Sequence, residues 1–160
     1  MADATIMRAP DTISGALAQC YITIGDERYN AMNAISVEAT VDKNKTKVPI
    51  LGKTGKGNKA TSWEGSGSAT FHFNSSVFRE KVLEYMHTGQ DFYFDMQIIN
   101  ADLGSAAGTQ DITLIDCNFD STILAKFDAD SDDYLDEDMD FTFEDAKLST
   151  SFTPLEGMQA

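Results

Sequence analysis

From residue 35 to residue 143 this chain returns again and again to a period of two, apolar then polar, which is the signature of strands that bury one face and wet the other. Ile35, Val37, Ala39 and Val41 alternate with Ser36, Glu38, Thr40 and Asp42, and Gln19 to Ile24 forms an earlier run closed by the turn signal Gly25-Asp26. Ala69, Phe71 and Phe73 form one short apolar face, and Phe92, Phe94, Met96 and Ile98 form a longer one. Side chains that alternate in this way cannot share one helical stripe, so the chain is predicted to be mainly β.

Between Asp111 and Phe119 the apolar parity changes from Ile112 and Leu114 to Ile115, Cys117 and Phe119, as one extra residue in a β-bulge would produce. Ile123, Ala125, Phe127 and Ala129 are then expected to pair as a hairpin with Met139, Phe141 and Phe143. The other face of that hairpin is a row of carboxylates, which must stay wet or be neutralised. One helix interrupts the strands. Asn74, Ser75 and Ser76 offer N-cap oxygens, Phe78, Val82, Tyr85 and Met86 follow at i, i+4, i+7 and i+8, and Gly89 ends it. Burial of those four side chains would contribute about 1.5–3 kcal/mol each and hold the helix as a cover on a sheet. Gly52 to Gly67 and Asn100 to Gln110 fit no element and are expected as loops, the first long enough to be functional or to order only on binding.

The 160 residues, 42% of them hydrophobic, are enough for one folded domain over 1–160 without staples. Cys20 and Cys117 stand far apart with no metal-ligand spacing, so buried or half-buried thiols are expected rather than zinc or a disulfide framework. Met1 to Pro10 lacks the apolar core of a secretory signal, and no apolar run approaches the roughly 20 residues of a bilayer span. A soluble protein of a reducing cytoplasm is the expectation.

The formal net charge of −14 disfavours gripping nucleic-acid phosphates. Six lysines lie between Lys43 and Lys59 with no acid among them, and ten acids lie between Asp128 and Asp145 with no base. Such runs are ordinarily two solvated surfaces; the sharper reading is two complementary faces that meet between copies.

Motifs for chemistry fail at their decisive positions. Gly52-Lys53-Thr54 resembles the end of a phosphate-binding loop, yet Lys47 stands where the first glycine is needed and Pro49 interrupts the loop. Asp128, Asp130, Asp132 and Asp136 copy positions 1, 3, 5 and 9 of a calcium loop, but Asp133 replaces the turn glycine and Met139 the bidentate glutamate. His72 and His87 have no nucleophile or acid at a catalytic spacing and read as surface or interface histidines. No catalytic residue, metal site or cofactor is therefore assigned. Trp63, the one tryptophan, sits in a polar stretch; it reads as a contact anchor or as a ring folded back on its own domain.

The collinear pieces Lys43-Asn44-Lys45, Lys53 to Gly67, Gly67-Ser68-Ala69-Thr70-Phe71, Gly108-Thr109, Asn118-Phe119-Asp120-Ser121 and Phe141-Thr142-Phe143-Glu144-Asp145 resemble the tail tube, or core tail, proteins of contractile-tailed phages and defective prophages of Gram-positive bacteria. The resemblance spans Thr12 to Leu148 and leaves Ser149 to Ala160 as a C-terminal tail that can be flexible. It implies an antiparallel β-sandwich or barrel with one flanking α-helix, assembled as hexameric rings that stack into a hollow tube inside a contractile sheath. It also implies sheath, tape measure, baseplate and tail terminator proteins as partners, DNA as passing cargo, no membrane, and a place in the virion tail after assembly in the host cytoplasm. The segment 42–67 matches the family's long loop between early strands, which orders against a neighbouring ring, and Lys43, Lys45, Lys53, Lys56, Lys59 and Trp63 are its contact candidates. Glu38, Asp128, Asp130, Asp140 and Glu144 are expected to line the lumen, where a negative wall would repel the DNA backbone. Two other readings stay open: the tube of a tail-like bacteriocin or another contractile injection system, and an acidic β-sandwich module that binds cations or a small ligand through Asp128 to Asp140.

Overall fold

The computed structural model describes residues 6–158. The readings on residues 1–5 and on the last two residues of the C-terminal tail lie outside the described residues. The protein is mainly antiparallel β with one α-helix among the described residues, in two compact units.

The first unit takes in the described chain up to Met32, Tyr93–Asp116, and the chain from Ala146. Here β1 (Ala18–Ile24) and β2 (Glu27–Asn30) form a hairpin about Gly25-Asp26, as expected. The other edge of β1 pairs with β5 (Phe94–Ala101), which neighbours the first part of β6 (Thr109–Phe119); β8 (Asp145–Thr150) also pairs with β6. Alternation does its work in this unit: Cys20, Ile22, Ile24, Phe94, Met96 and Leu114 are buried, with Ile22 directly opposite Met96. Burial pushes the Cys20 thiol up to about 11, because a thiolate there would lose its hydration. The outer face is polar: Arg28 lies over the Tyr21 ring and donates to Gln97 at 2.8 Å, and Gln97 donates to Asp111. The tail begins within β8 and is tied down again beyond it, where the Thr153 amide donates to the Ala107 carbonyl at 2.8 Å.

The expected change of parity in β6 falls at Asp116, whose φ of 54° lies in the left-handed region that a short polar side chain tolerates. Leu114 before it and Cys117 and Phe119 after it are buried, and its amide is held by the Asp95 carboxylate at 3.2 Å. Cys20 and Cys117 are both buried thiols.

The second unit comprises Asn33–Phe92 and Cys117–Asp145. Its frame is β3 (Ala34–Val48), β4 (Gly57–His72) and β7 (Asp136–Phe143), with β4 pairing β3 on one edge and β7 on the other. Ala69, Phe71, Met139, Phe141 and Phe143 fill the core face. Phe78 of α1 (Val77–Thr88) stacks edge-on against Phe119 at 4.6 Å, and Phe119 likewise meets Phe141 at 6.3 Å.

Four expectations need correction in this unit. The stretch Gly52 to Gly67 is not a loop: from Gly57 onward it is strand, so most of 42–67 is a long two-stranded hairpin whose tip alone is irregular. Thr and Trp favour a pleated backbone even where both faces are wet, and without alternation the strand has no periodic signal. Ile123 to Ala129 is not a strand at all, and Phe127 is 88% exposed. Its alternation is real, but β7 gives its edges to β4 and to the end of β6, which leaves that stretch no ladder to join. The helix buries less than expected, since Phe78 and Val82 are half-buried while Tyr85 and Met86 are exposed. Ser76 occupies the N-cap but its side chain does not cap; Gly89, with φ of 76°, ends the helix by donating to the Tyr85 carbonyl at 2.8 Å.

The helix is held instead by its first turns and by Arg79. That guanidinium pairs with the buried Glu137 at 2.9 Å, lies over the Phe73 ring at 4.2 Å and donates to the Ser75 and Ile123 carbonyls. One side chain thus fastens α1, β7 and the irregular segment 120–135 together. Its removal leaves a buried carboxylate uncompensated, so Arg79→Ala should cost about 3–5 kcal/mol, read as a lowered urea midpoint. A loss below about 1 kcal/mol would mean that the clamp is solvated and weak.

The frame also depends on small residues in β4. A Cβ added to Gly67 would stand closer than 3.0 Å to the Glu38 carbonyl and to the Phe141 ring, and one added to Gly65 would strike the Phe143 ring. Gly67→Ala should destabilise by about 1–3 kcal/mol, more than Gly65→Ala, because the former meets backbone that cannot rotate away. Equal urea midpoints for the two variants would contradict this ranking.

Candidate functional site

Two surfaces of the second unit carry charge in an organised way. Residues directly opposite in an antiparallel ladder share a face, so the register orders the side chains into rows. Glu38, Ser68 and Asp140 form one row across β3, β4 and β7; Thr40, Ser66 and Thr142 form the next; and Asp42 stands opposite Glu64 beyond them. Asp138 lies on the same face opposite Thr70, whose hydroxyl donates to it at 2.6 Å. No lysine or arginine occupies any of these positions. Asp120 joins the rows through its amide, which donates to the Asp140 carbonyl at 2.8 Å, and with Glu38 and Asp140 it lines a shallow groove of about 400 Å³.

Of the five acids expected together, the ladder therefore gathers Glu38 and Asp140, with Glu144 immediately after β7. Asp128 and Asp130 are elsewhere, on the irregular segment, where Asp128 accepts a hydrogen bond from the Asp130 amide at 3.1 Å. Four further carboxylates lie on or beside this face, outside those five: Asp42, Glu64, Asp120 and Asp138. Asp42 and Asp138 share the alternation of Glu38 and Asp140 and so the same face; Glu64 has no such signal, because its strand carries no apolar period.

The second surface is the odd-numbered face of the hairpin. Lys43 stands directly opposite Trp63, Val41 opposite Gly65, and Lys45 and Lys47 follow along the same side of β3. A register shift between Asn44 and Lys45 bends the ladder at this point. Trp63 is 48% exposed and the lysines are exposed. Among the described residues none of the six hairpin lysines is paired with a carboxylate. Lys53 and Lys56 lie at the irregular tip and Lys59 near the start of β4.

The remaining candidates hold no assembled chemistry. Gly52-Lys53-Thr54 turns between two strands and opens no helix, so its amides do not form the helix N-terminus that phosphate loops use. Asp136 of the calcium-like series is paired with Lys126 at 3.8 Å, and no group of three or more His, Cys, Asp or Glu is gathered as a ligand set among the described residues. His72 lies edge-on to Tyr134 at 4.9 Å, and His87 is exposed in the last turn of α1. No helix among the described residues is long and apolar enough to cross a membrane.

Comparison with known proteins gives these surfaces a context. Residues 5–149 match the family described as phage tail tube protein. The phage-like element PBSX protein XkdM of Bacillus subtilis (strain 168) is 39% identical over 150 residues, which are 91% of this chain and 99% of that protein. The fold is also that of a chain in the anti-feeding prophage tube-terminating cap, with a TM-score of 0.66, 12% identity, and coverage of 92% of this chain and 97% of that one. A chain of the sheath–tube complex of an extracellular contractile injection system gives 0.60 at 11% identity, covering 81% and 87%.

Proposed function

The chain belongs to the phage tail tube family, and from that premise we propose that it polymerises as stacked hexameric rings into the hollow inner tube of a contractile tail, a conduit for the genome with no catalytic role of its own. The observation that carries this reading is what one copy leaves unfinished. Among the described residues β3 is hydrogen-bonded along one edge only, and its outer half is exposed on both faces. An edge of that length in a monomer is an invitation to pair, and chains that do not polymerise blunt it. The partners in this reading are further copies, then sheath, tape measure, baseplate and terminator proteins, with assembly in the bacterial cytoplasm. The 39% identity to a protein of a phage-like element supports the related reading of a phage-like particle rather than an infectious phage.

Within the tube, the carboxylate face of Glu38, Asp140 and Glu144, extended by Asp42, Glu64 and Asp138, lines the lumen. Like charges opposite each other across a ladder are unfavourable, as at Asp42 and Glu64, so this face is retained at a cost to the folded copy. A wall of one sign keeps the DNA backbone from sticking, because no cation is offered to replace its counterions. The lysine hairpin with Trp63 reaches toward the next ring and latches it.

Electron microscopy of the concentrated protein should show uniform hollow tubes, seeded by fragments of earlier tubes. A preparation that stays monodisperse under every salt and seed would end the tube reading. In reconstituted particles, Glu38→Lys with Asp140→Lys should slow DNA ejection by about tenfold or more, through new phosphate contacts along the whole lumen. Unchanged ejection kinetics would move the acidic face away from the lumen and leave the tube itself standing.

A further inference from the structure

We propose that the Lys43, Lys45, Lys47 and Trp63 face of the β3–β4 hairpin docks on the Phe127–Tyr134 segment of a second copy of this chain, an inference that rests on the tube reading above. Within one copy Tyr134 touches the His72 ring at 4.9 Å, and both surfaces remain open beyond that contact. The three lysines and Trp63 point from one face of the hairpin, exposed and without a carboxylate partner among the described residues. Phe127 is 88% exposed and Tyr134 70% exposed, and between them Asp128, Asp130, Asp132 and Asp133 are exposed with no basic partner among the described residues.

The two surfaces are complementary in both respects that matter for association. Each carries one or two large aromatic side chains, which supply most of the affinity when buried, and each surrounds them with charge of one sign, which steers and orients the encounter. The other acidic surface, the Glu38 and Asp140 face, has the charge but no exposed aromatic side chain in its rows, so Trp63 would find nothing to pack on there. The Phe127–Tyr134 segment offers both, and a lysine laid over an aromatic ring gains a cation–π contact besides.

The segment is irregular yet not loose. Arg79 holds the Ile123 carbonyl, Lys126 donates to the Asp136 carbonyl at 2.7 Å, and the Phe73 amide donates to the Leu135 carbonyl at 3.0 Å. The exposed stretch is thus suspended between fixed ends, and little order remains to be imposed on binding. Because the two patches are different, the contact is heterologous: each copy offers one of each, and such a contact either closes into a ring or, where its rotation does not close, adds copies in one direction. The open form is what a stack of rings requires between its layers.

The test uses the full chain. Trp63→Cys and Phe127→Cys replace exposed side chains, and the native Cys20 and Cys117 are buried, so mild oxidation of a mixture of the two variants reads this contact alone. A disulfide between the two variants that appears on polymerisation, and in neither variant by itself, is the expected result. A second arm reverses charge: Lys43→Glu, Lys45→Glu and Lys47→Glu together should lower tube yield at least tenfold, and adding Asp128→Lys, Asp130→Lys and Asp132→Lys to the same chain should restore it to within about threefold of wild type, a tenfold change being about 1.4 kcal/mol. Wild-type tubes with no cross-link, or a charge-reversed chain that polymerises normally, overturn the docking and leave the tube reading intact. A wild type that never polymerises overturns the tube reading itself.

Discussion

Strand β4 is the element on which the second unit depends, because it is bonded at length along both edges, to β3 over the length of the hairpin and to β7 over eight residues, whereas β7 meets β6 through Asn118 and Phe119. Two bulky rings, Phe141 and Phe143, lie close against it, and the absence of a Cβ at Gly65 and Gly67 makes this approach possible. The cost of glycine in a strand is conformational entropy of order 0.5–1 kcal/mol each, offset here by the burial of two phenylalanines. Ala69 continues the same strip of small side chains toward the Phe71, Phe78 and Phe119 cluster.

The same strand turns the core into a platform for charge. Once Phe141 and Phe143 face inward, the pleat sends Asp138, Asp140 and Thr142 outward, and β4 transmits that row to Glu38 and Thr40 of β3 through Ser68 and Ser66. The phenylalanine core with strict alternation thus fixes which positions face outward together, and the residues placed there are acidic or neutral. With a net charge of −14 per copy, association must rest on apolar packing, edge pairing and the few lysines that concentrate on one hairpin face. The hairpin lysines stay where a neighbour can use them, whereas Arg79 and Lys126 are engaged within the copy, by Glu137 and Asp136.

Mainly β class, the parity change near Asp116, the single helix ending at Gly89, the buried cysteines and the inward face of Met139, Phe141 and Phe143 were all legible in the order of residues, because each is a local periodic signal or a backbone requirement of one residue type. The acidic face was half legible: Asp140 and Glu144 follow from alternation, whereas Glu64 lies on a strand that has none.

Whether a stretch becomes a strand depends on an available edge as well as on its own pattern. Ile123 to Ala129 has the pattern and no edge, so it stays irregular and exposes Phe127; Gly57 to Ser66 has the edge of β3 and no pattern, and it is strand throughout. Hydrogen-bond partners for a backbone are supplied by distant chain, and no local count of apolar residues records them. The order of residues alone determined the dry face of the strands about Ile22, Met96 and Phe141 and the collection of charge into one basic and one acidic run. Only the tertiary ladder decided that Lys43 stands opposite Trp63, that Glu38 shares a row with Asp140, and that Asp128 and Asp130 stand apart from both, since register is a relation between strands and exists in neither one by itself.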